Sequence, residues 1–282
     1  MPGGQDSSDT IARMDRRGLD PTGLAGRWVN TNAHGNGIQE LTIDVDSGVV
    51  ELYALSKGRR GSCSWGPIRA DLLCGSNSTA HTAMSFTGRH DFGMNRIELQ
   101  GNVNLGLLVV ASFNRVGSGC HDYFAREFYR RDDRAAAPPA TPWDVSAGRV
   151  GGDDPDEAAC TEPGLPFDGS EIFGDWWNTN PDSSGIVRLR IDDNMRNGAV
   201  VRLWQSRAPR AAEPDSVDAD LFALSSGSRL AKAFSARYQA HEVDVRLQAN
   251  IKQGVLVVAS FTQFDADDGR ANYFQREFYY RS

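Results

Sequence analysis

Gly26-Arg27-Trp28-Val29-Asn30-Thr31-Asn32 returns as Gly174-Asp175-Trp176-Trp177-Asn178-Thr179-Asn180, 148 residues further on. The same offset carries Gly37-Ile38 onto Gly185-Ile186, and Leu41, Ile43 and Asp44 onto Leu189, Ile191 and Asp192. It carries Leu108-Val109-Val110-Ala111-Ser112-Phe113 onto Leu256-Val257-Val258-Ala259-Ser260-Phe261. After two extra residues, Tyr123-Phe124 and Arg126-Glu127-Phe128-Tyr129 match Tyr273-Phe274 and Arg276-Glu277-Phe278-Tyr279. Chance does not hold one register this long, so the chain reads as a unit of roughly 105 residues occurring twice. The boundaries read as a flexible leader over 1–22, a first repeat over 23–132, a linker over 133–170 and a second repeat over 171–282. The linker is set by composition, with Ala135-Ala136-Ala137-Pro138-Pro139-Ala140 and Gly151-Gly152-Asp153-Asp154-Pro155. Trp143 and Phe167 are less linker-like and are expected to pin it to a domain surface.

Inside each repeat, apolar and polar residues alternate with period two between Gly, Asn, Asp and Pro punctuation. The pattern predicts strands near 26–32, 37–45, 49–55, 67–74, 82–88, 95–103, 106–114 and 122–131. The second set lies near 174–180, 185–192, 199–206, 217–224, 230–236, 242–250, 254–262 and 271–281. No capped 3.6-residue apolar stripe is present, so the fold class is all-β. Eight short sequential strands suggest an up-and-down antiparallel meander. Closing it into a barrel removes the edges an open sheet would expose. The expectation is therefore two tandem eight-stranded antiparallel up-and-down β-barrels.

Gly-x-Trp on the first strand, answered by an arginine on the last, resembles the signature of the calycins: the lipocalins, fatty-acid-binding proteins and avidins. The resemblance implies a tryptophan–arginine stack closing one barrel end. The matching residues are Gly26, Trp28 and Arg126 or Arg130, then Gly174, Trp176 and Arg276. Gly-x-Trp-x-Asn is nearest the avidin pattern, which implies that Asn30 and Asn178 face a ligand. The rest of the avidin ligand pattern is not present in recognisable form, so biotin is not implied.

Composition narrows the partners. A formal net charge of -7 and a pI near 5.3 exclude a basic nucleic-acid footprint and disfavour an anionic membrane surface. No apolar run is long enough for a membrane helix, and the N-terminus lacks a signal-peptide core, so a cytoplasmic location is expected. Cys63, Cys74, Cys120 and Cys160 form no C-x-x-C pair and are expected to be free thiols. Asn77-Ser78-Thr79 fits a glycosylation acceptor, relevant only to a secreted eukaryotic protein.

No nucleotide-binding, serine-hydrolase or zincin motif occurs, and His34, His81, His90, His121 and His241 lack metal-ligand spacing. No cofactor and no metal are expected. Cys120-His121-Asp122-Tyr123 invites a nucleophile reading, but neighbours in a strand point to opposite faces, and hairpin-tip chemistry is the simpler account. Asp265, Asp267 and Asp268 read as an acidic turn, since the closing glutamate of a calcium loop is missing.

Two inward faces of the last strand are open. One places Arg126 inside with Phe124 and Phe128. The other places Tyr123, Glu127 and Tyr129 inside, where a carboxylate between phenols suits acid–base work; Glu277 and Tyr273 are the second repeat's counterparts. Candidate ligand contacts are Asn30, Tyr53 and Trp65, then Asn178 and Trp204, with Tyr53 and Trp204 in matching places. The seventh strand is apolar on both faces, which predicts a pseudo-dimer within the chain or a higher homo-oligomer. The functional expectation is a protein enclosing a small amphipathic organic molecule in its lumen. The alternatives are a cofactor-independent cyclase or isomerase of a polyketide- or polyene-like substrate on the same scaffold, and a carbohydrate-binding lectin.

Overall fold

The computed structural model describes residues 18–35, 37–58, 61–75, 81–93, 95–117, 119–133, 164–206, 213–240, 243–265 and 270–282. The leader up to residue 17, most of the linker with Trp143 and Cys160, the Asn77 acceptor, His241 and Asp267-Asp268 lie outside the described residues. Among the described residues there is no helix, so none is long and apolar enough to cross a membrane.

The chain divides into two units. Unit 1 comprises Met1–Ser118, Ala125–Ala159 and Gly269–Tyr273; unit 2 comprises Gly119–Phe124, Cys160–Asp268 and Phe274–Ser282.

The ring of unit 1 is built on β1 (Gly26–Asn30), β2 (Ile38–Asp46), β3 (Val49–Gly58), β4 (Gly61–Gly75), β5 (Ala83–Phe92), β6 (Asn95–Asn104), β7 (Leu107–Arg115) and β8 (Tyr123–Arg131). Each strand pairs with the next, and β8 returns to β1, so the meander closes as an eight-stranded antiparallel barrel. Period-two alternation sends Trp28, Leu41, Ile43, Leu52, Ile68, Leu72, Phe86, Leu99, Leu108, Val110 and Tyr129 into one core. These side chains form one hydrophobic cluster inside the ring. Phe86 lies so close over Gly101 that a Cβ there would collide with its ring.

Unit 2 follows the same order with β9 (Gly174–Asn178), β10 (Ile186–Asp193), β11 (Ala199–Gln205), β12 (Asp215–Phe222), β13 (Ala233–Ala240), β14 (Val243–Lys252), β15 (Val255–Phe264) and β16 (Tyr273–Arg281). Its neighbours run β9 through β16 in sequence, and β16 pairs back with β9. Trp176, Leu189, Ile191, Leu203, Leu221, Phe234, Leu247, Val258 and Tyr279 form its core. Strands β7 and β15 are buried on both faces: Val109, Phe113, Val257 and Phe261 lie outside the core clusters yet are inaccessible.

One end of each barrel is closed by a tryptophan and an arginine, but the arginine is not the one expected. Strand pairing sets Trp28 opposite Arg131. The Arg131 guanidinium lies 5.3 Å from the Trp28 ring centre, and Arg281 lies 5.8 Å from that of Trp176. Arg126 and Arg276 occupy the other parity of their strands and turn away from the tryptophans. Arg131 donates to the carbonyls of Thr22 and Ala25, and Arg281 to those of Ser170 and Phe173. The tryptophans donate from Nε1 to Leu24 O at 2.8 Å and to Ile172 O at 2.9 Å. The glycine of Gly-x-Trp is explained by the same stack. Gly26 and Gly174 have φ of 120° and 128°, and a Cβ on either would meet the arginine side chain at 3.4 Å.

Candidate functional site

In an up-and-down ring, the β1–β2, β3–β4, β5–β6 and β7–β8 connections share the end opposite the Trp28–Arg131 closure. The residues that decide this mouth in unit 1 come from β1, β3, β4, β5 and β8.

The inward parity of β8 is the row containing Glu127, Tyr129 and Arg131. Asn30, two residues past Trp28, shares the inner face of β1 and is buried. Its amide donates to Ile38 O at 2.7 Å and to Glu127 Oε1 at 3.0 Å. The Tyr129 hydroxyl lies 2.9 Å from Glu127 Oε2 and 3.0 Å from Ile38 O, so its single hydrogen is shared between them. Burial, then the neighbouring Glu127, pushes the Tyr129 phenol far above its ordinary range, which keeps it a donor. Unit 2 reproduces the arrangement. Asn178 donates to Ile186 O at 2.8 Å and to Glu277 Oε1 at 3.0 Å, and Tyr279 stands 3.1 Å from Glu277 Oε2. This network fastens the first loop of each barrel to its last strand. Gly37 is required for it, since a Cβ there would sit 2.6 Å from Glu127 Oε1.

The phenols beside the carboxylates are thus Tyr129 and Tyr279, not Tyr123 and Tyr273. Tyr123 belongs to unit 2, where it bridges to Ala223; Tyr273 belongs to unit 1 and packs on that core. A strand read in isolation gives the parity of a residue but not the unit it serves.

Trp65 reaches the mouth through a backbone irregularity. Tyr53 pairs with Pro67, while Leu55 pairs with Ser64, so Trp65 and Gly66 form a bulge on β4 opposite Ala54. Gly66 takes φ of 73°, which its missing side chain allows. The bulge returns Trp65 to the inner face, packed against the core that contains Ile68. Trp65 Nε1 donates to Ser56 Oγ at 2.9 Å. Its ring meets Phe92 edge-on at 5.2 Å and stacks at 6.4 Å on His90, which itself lies 4.1 Å from Phe92. All three rings are partly buried. His90 and Phe92 are the residues that sequence reading missed; their inward parity on β5, shared with Phe86, was the available signal.

Burial lowers the His90 pKa below its usual 6.5, outweighing the raising effect of Asp91. A depressed histidine pKa means that the unfolded chain takes up the proton first. Stability from this residue is then intact above pH 6.5 and falls as pH drops toward the folded-state value. Thermal melts of wild type and His90→Gln at pH 7.5 and 5.5 should show the larger acid-induced drop in wild type. An equal drop in both contradicts the assignment.

Tyr53 and Trp204 do not enter a lumen. Tyr53 has the parity opposite to Leu52 and Ala54 and donates to Glu51 at 2.6 Å; that bond, with burial and the carboxylate charge, raises its pKa to about 12. Trp204 lies on the outer face of β11, where the Arg188 guanidinium sits 4.3 Å from its ring centre and 4.9 Å from that of Trp177. Asp175 pairs with Arg188 and Arg190 beside it. The two residues are not equivalents either. Trp204 pairs across to Arg188, and the corresponding Glu40 of unit 1 pairs with Leu55.

The residues of the Cys120–Tyr123 segment are each held by a partner, Asp122 O accepting from Ala223 N and Tyr123 bridging to Ala223. Cys120 is disulfide-bonded, a correction to the free-thiol expectation, whereas Cys63 and Cys74 are free. His121 is buried with Nε2 at 2.9 Å from Leu165 O, and its ring meets Phe167 at 4.9 Å. Phe167 itself packs on the unit 2 core, as a pinning residue should. Among the described residues, no group of three or more His, Cys, Asp or Glu side chains could hold a metal ion.

No family model matches the chain, and no curated protein matches it. The functional reading therefore rests on the geometry of the mouth.

Proposed function

We propose that the protein binds a small amphipathic organic molecule at the mouth of the unit 1 barrel, on the Trp65–His90–Phe92 seat. The observation that carries this reading is the β4 bulge, which turns Trp65 inward onto the core beside Ser56. Bulges that re-aim a side chain recur next to functional sites. A partly buried aromatic patch on the apolar core, with the Ser56 hydroxyl bonded to it, supplies an apolar body contact with an orienting polar group, and Glu127 of β8 offers a further acceptor at the same end of the ring. The buried cluster occupies the ring below Trp65, so the molecule is placed in the upper lumen rather than along its length.

Calorimetric titration of the full chain with 2-naphthol tests the proposal. Saturable binding of one molecule per chain is expected, retained by Tyr53→Phe and by Trp204→Phe, which change only outer-face residues. Absence of saturable heat, or loss of binding in either variant, would overturn it.

A further inference from the structure

The two barrels fasten their first loops in the same way, with one difference at the carboxylate. In unit 2 the buried Ser183 hydroxyl donates to Glu277 Oε1, which already accepts from Asn178. The residue at the corresponding place in unit 1 is Gly35. The backbones agree there: Gly35 N and Ser183 N donate to Asn32 O and Asn180 O, each at 3.2 Å. The preceding turns agree as well. His34 N donates to Asn32 Oδ1 at 3.2 Å, and Asp182 N donates to Asn180 Oδ1 at 3.1 Å. Among the described residues Glu127 accepts only from Asn30 and Tyr129, so unit 1 has one hydroxyl fewer on the same oxygen. A Cβ on Gly35 would lie 3.6 Å from Glu127 Oε1, which puts a hydroxyl on it within bonding reach.

A carboxylate oxygen has capacity for two hydrogen bonds, and a partly buried one gains from filling it. Unit 2 fills this capacity from its own chain. We infer that in unit 1 the bound molecule fills it: Glu127 Oε1 accepts a hydrogen bond from the ligand, in the role that Ser183 plays for Glu277. The ligand class is thereby narrowed to aromatic or similarly flat apolar molecules carrying an O–H or N–H donor. Ser183 acts as a built-in plug, which makes unit 1 the receptive barrel and unit 2 the self-satisfied one. This inference rests on the proposed seat at Trp65, His90 and Phe92.

The test compares 2-naphthol with 2-methoxynaphthalene, which keeps the rings and lacks the donor. On the wild-type chain 2-naphthol should bind about tenfold to a hundredfold more tightly, the range of one hydrogen bond to a charged group. Gly35→Ser should install the plug, bring 2-naphthol down to the level of its methyl ether, and leave the ether within about twofold of wild type. The Cβ contacts at position 35 are ordinary, the nearest being 3.4 Å to Asn32 Nδ2, so the variant should fold, with an unchanged melting temperature as the check. Equal wild-type affinities for the two compounds, or unchanged discrimination in Gly35→Ser, would overturn the role of Glu127 and leave the aromatic seat standing. Failure of both compounds to bind would overturn the seat and the inference together.

Discussion

Trp28→Ala should destabilise unit 1 by about 3–5 kcal/mol, the usual range for removing a fully buried large aromatic. Three losses coincide. The indole leaves a void beside Leu41 and Tyr129 in a core that has little slack. Leu24 O loses the Nε1 donor that approaches it at 2.8 Å. The Arg131 guanidinium loses the aromatic face beneath it while still held against Gly26. Trp176→Ala should cost a similar amount in unit 2, because Ile172 O and Arg281 stand in the same relation to it. Denaturant unfolding followed by a probe in each unit measures both. A loss below about 1 kcal/mol in either would mean that the closure is not what holds that barrel end, since costs that small are typical of surface changes.

Trp65→Ala should weaken 2-naphthol by about 30-fold or more, the scale of an aromatic hot spot worth about 2 kcal/mol. The side chain supplies the largest face in the mouth and anchors Ser56 through its indole nitrogen. It also braces His90 and Phe92, so truncation leaves the rest of the seat unsupported. Trp65→Phe should recover part of the affinity, because a flat ring remains although the bond to Ser56 is gone. Because Trp65 is only partly buried, the stability loss should be well below that of Trp28→Ala. A Trp65→Ala chain that binds as wild type would move the ligand elsewhere.

The strands were legible because period-two alternation and turn residues are local signals. The expected first strand from residue 26 appears as such, and the seventh strand, read as apolar on both faces, is buried on both. What was not legible depended on offsets between strands. Arg126 and Arg131 both follow Tyr123 on one strand, and only the pairing of Trp28 with Arg131 selects the capping residue. Gly66-Pro67 reads as a turn, which placed the start of β4 at residue 67. The structure instead continues the strand to Gly61 and uses Gly66 for a bulge. Tyr53 looked like a lumen aromatic, yet its parity with Glu51 sends it outward. The contrast between Gly35 and Ser183 was present in the aligned repeats, but it had no meaning until Glu127 and Glu277 were placed against those positions.

The chain has six tryptophans, so an indole N–H spectrum of the labelled protein carries six signals, each assignable by substitution. Titration with 2-naphthol should move the Trp65 signal progressively to saturation and leave those of Trp176, Trp177 and Trp204 in place. A Trp65 signal that stays fixed while 2-naphthol binds, or shifts confined to the tryptophans of unit 2, would contradict a ligand seat at the mouth of unit 1.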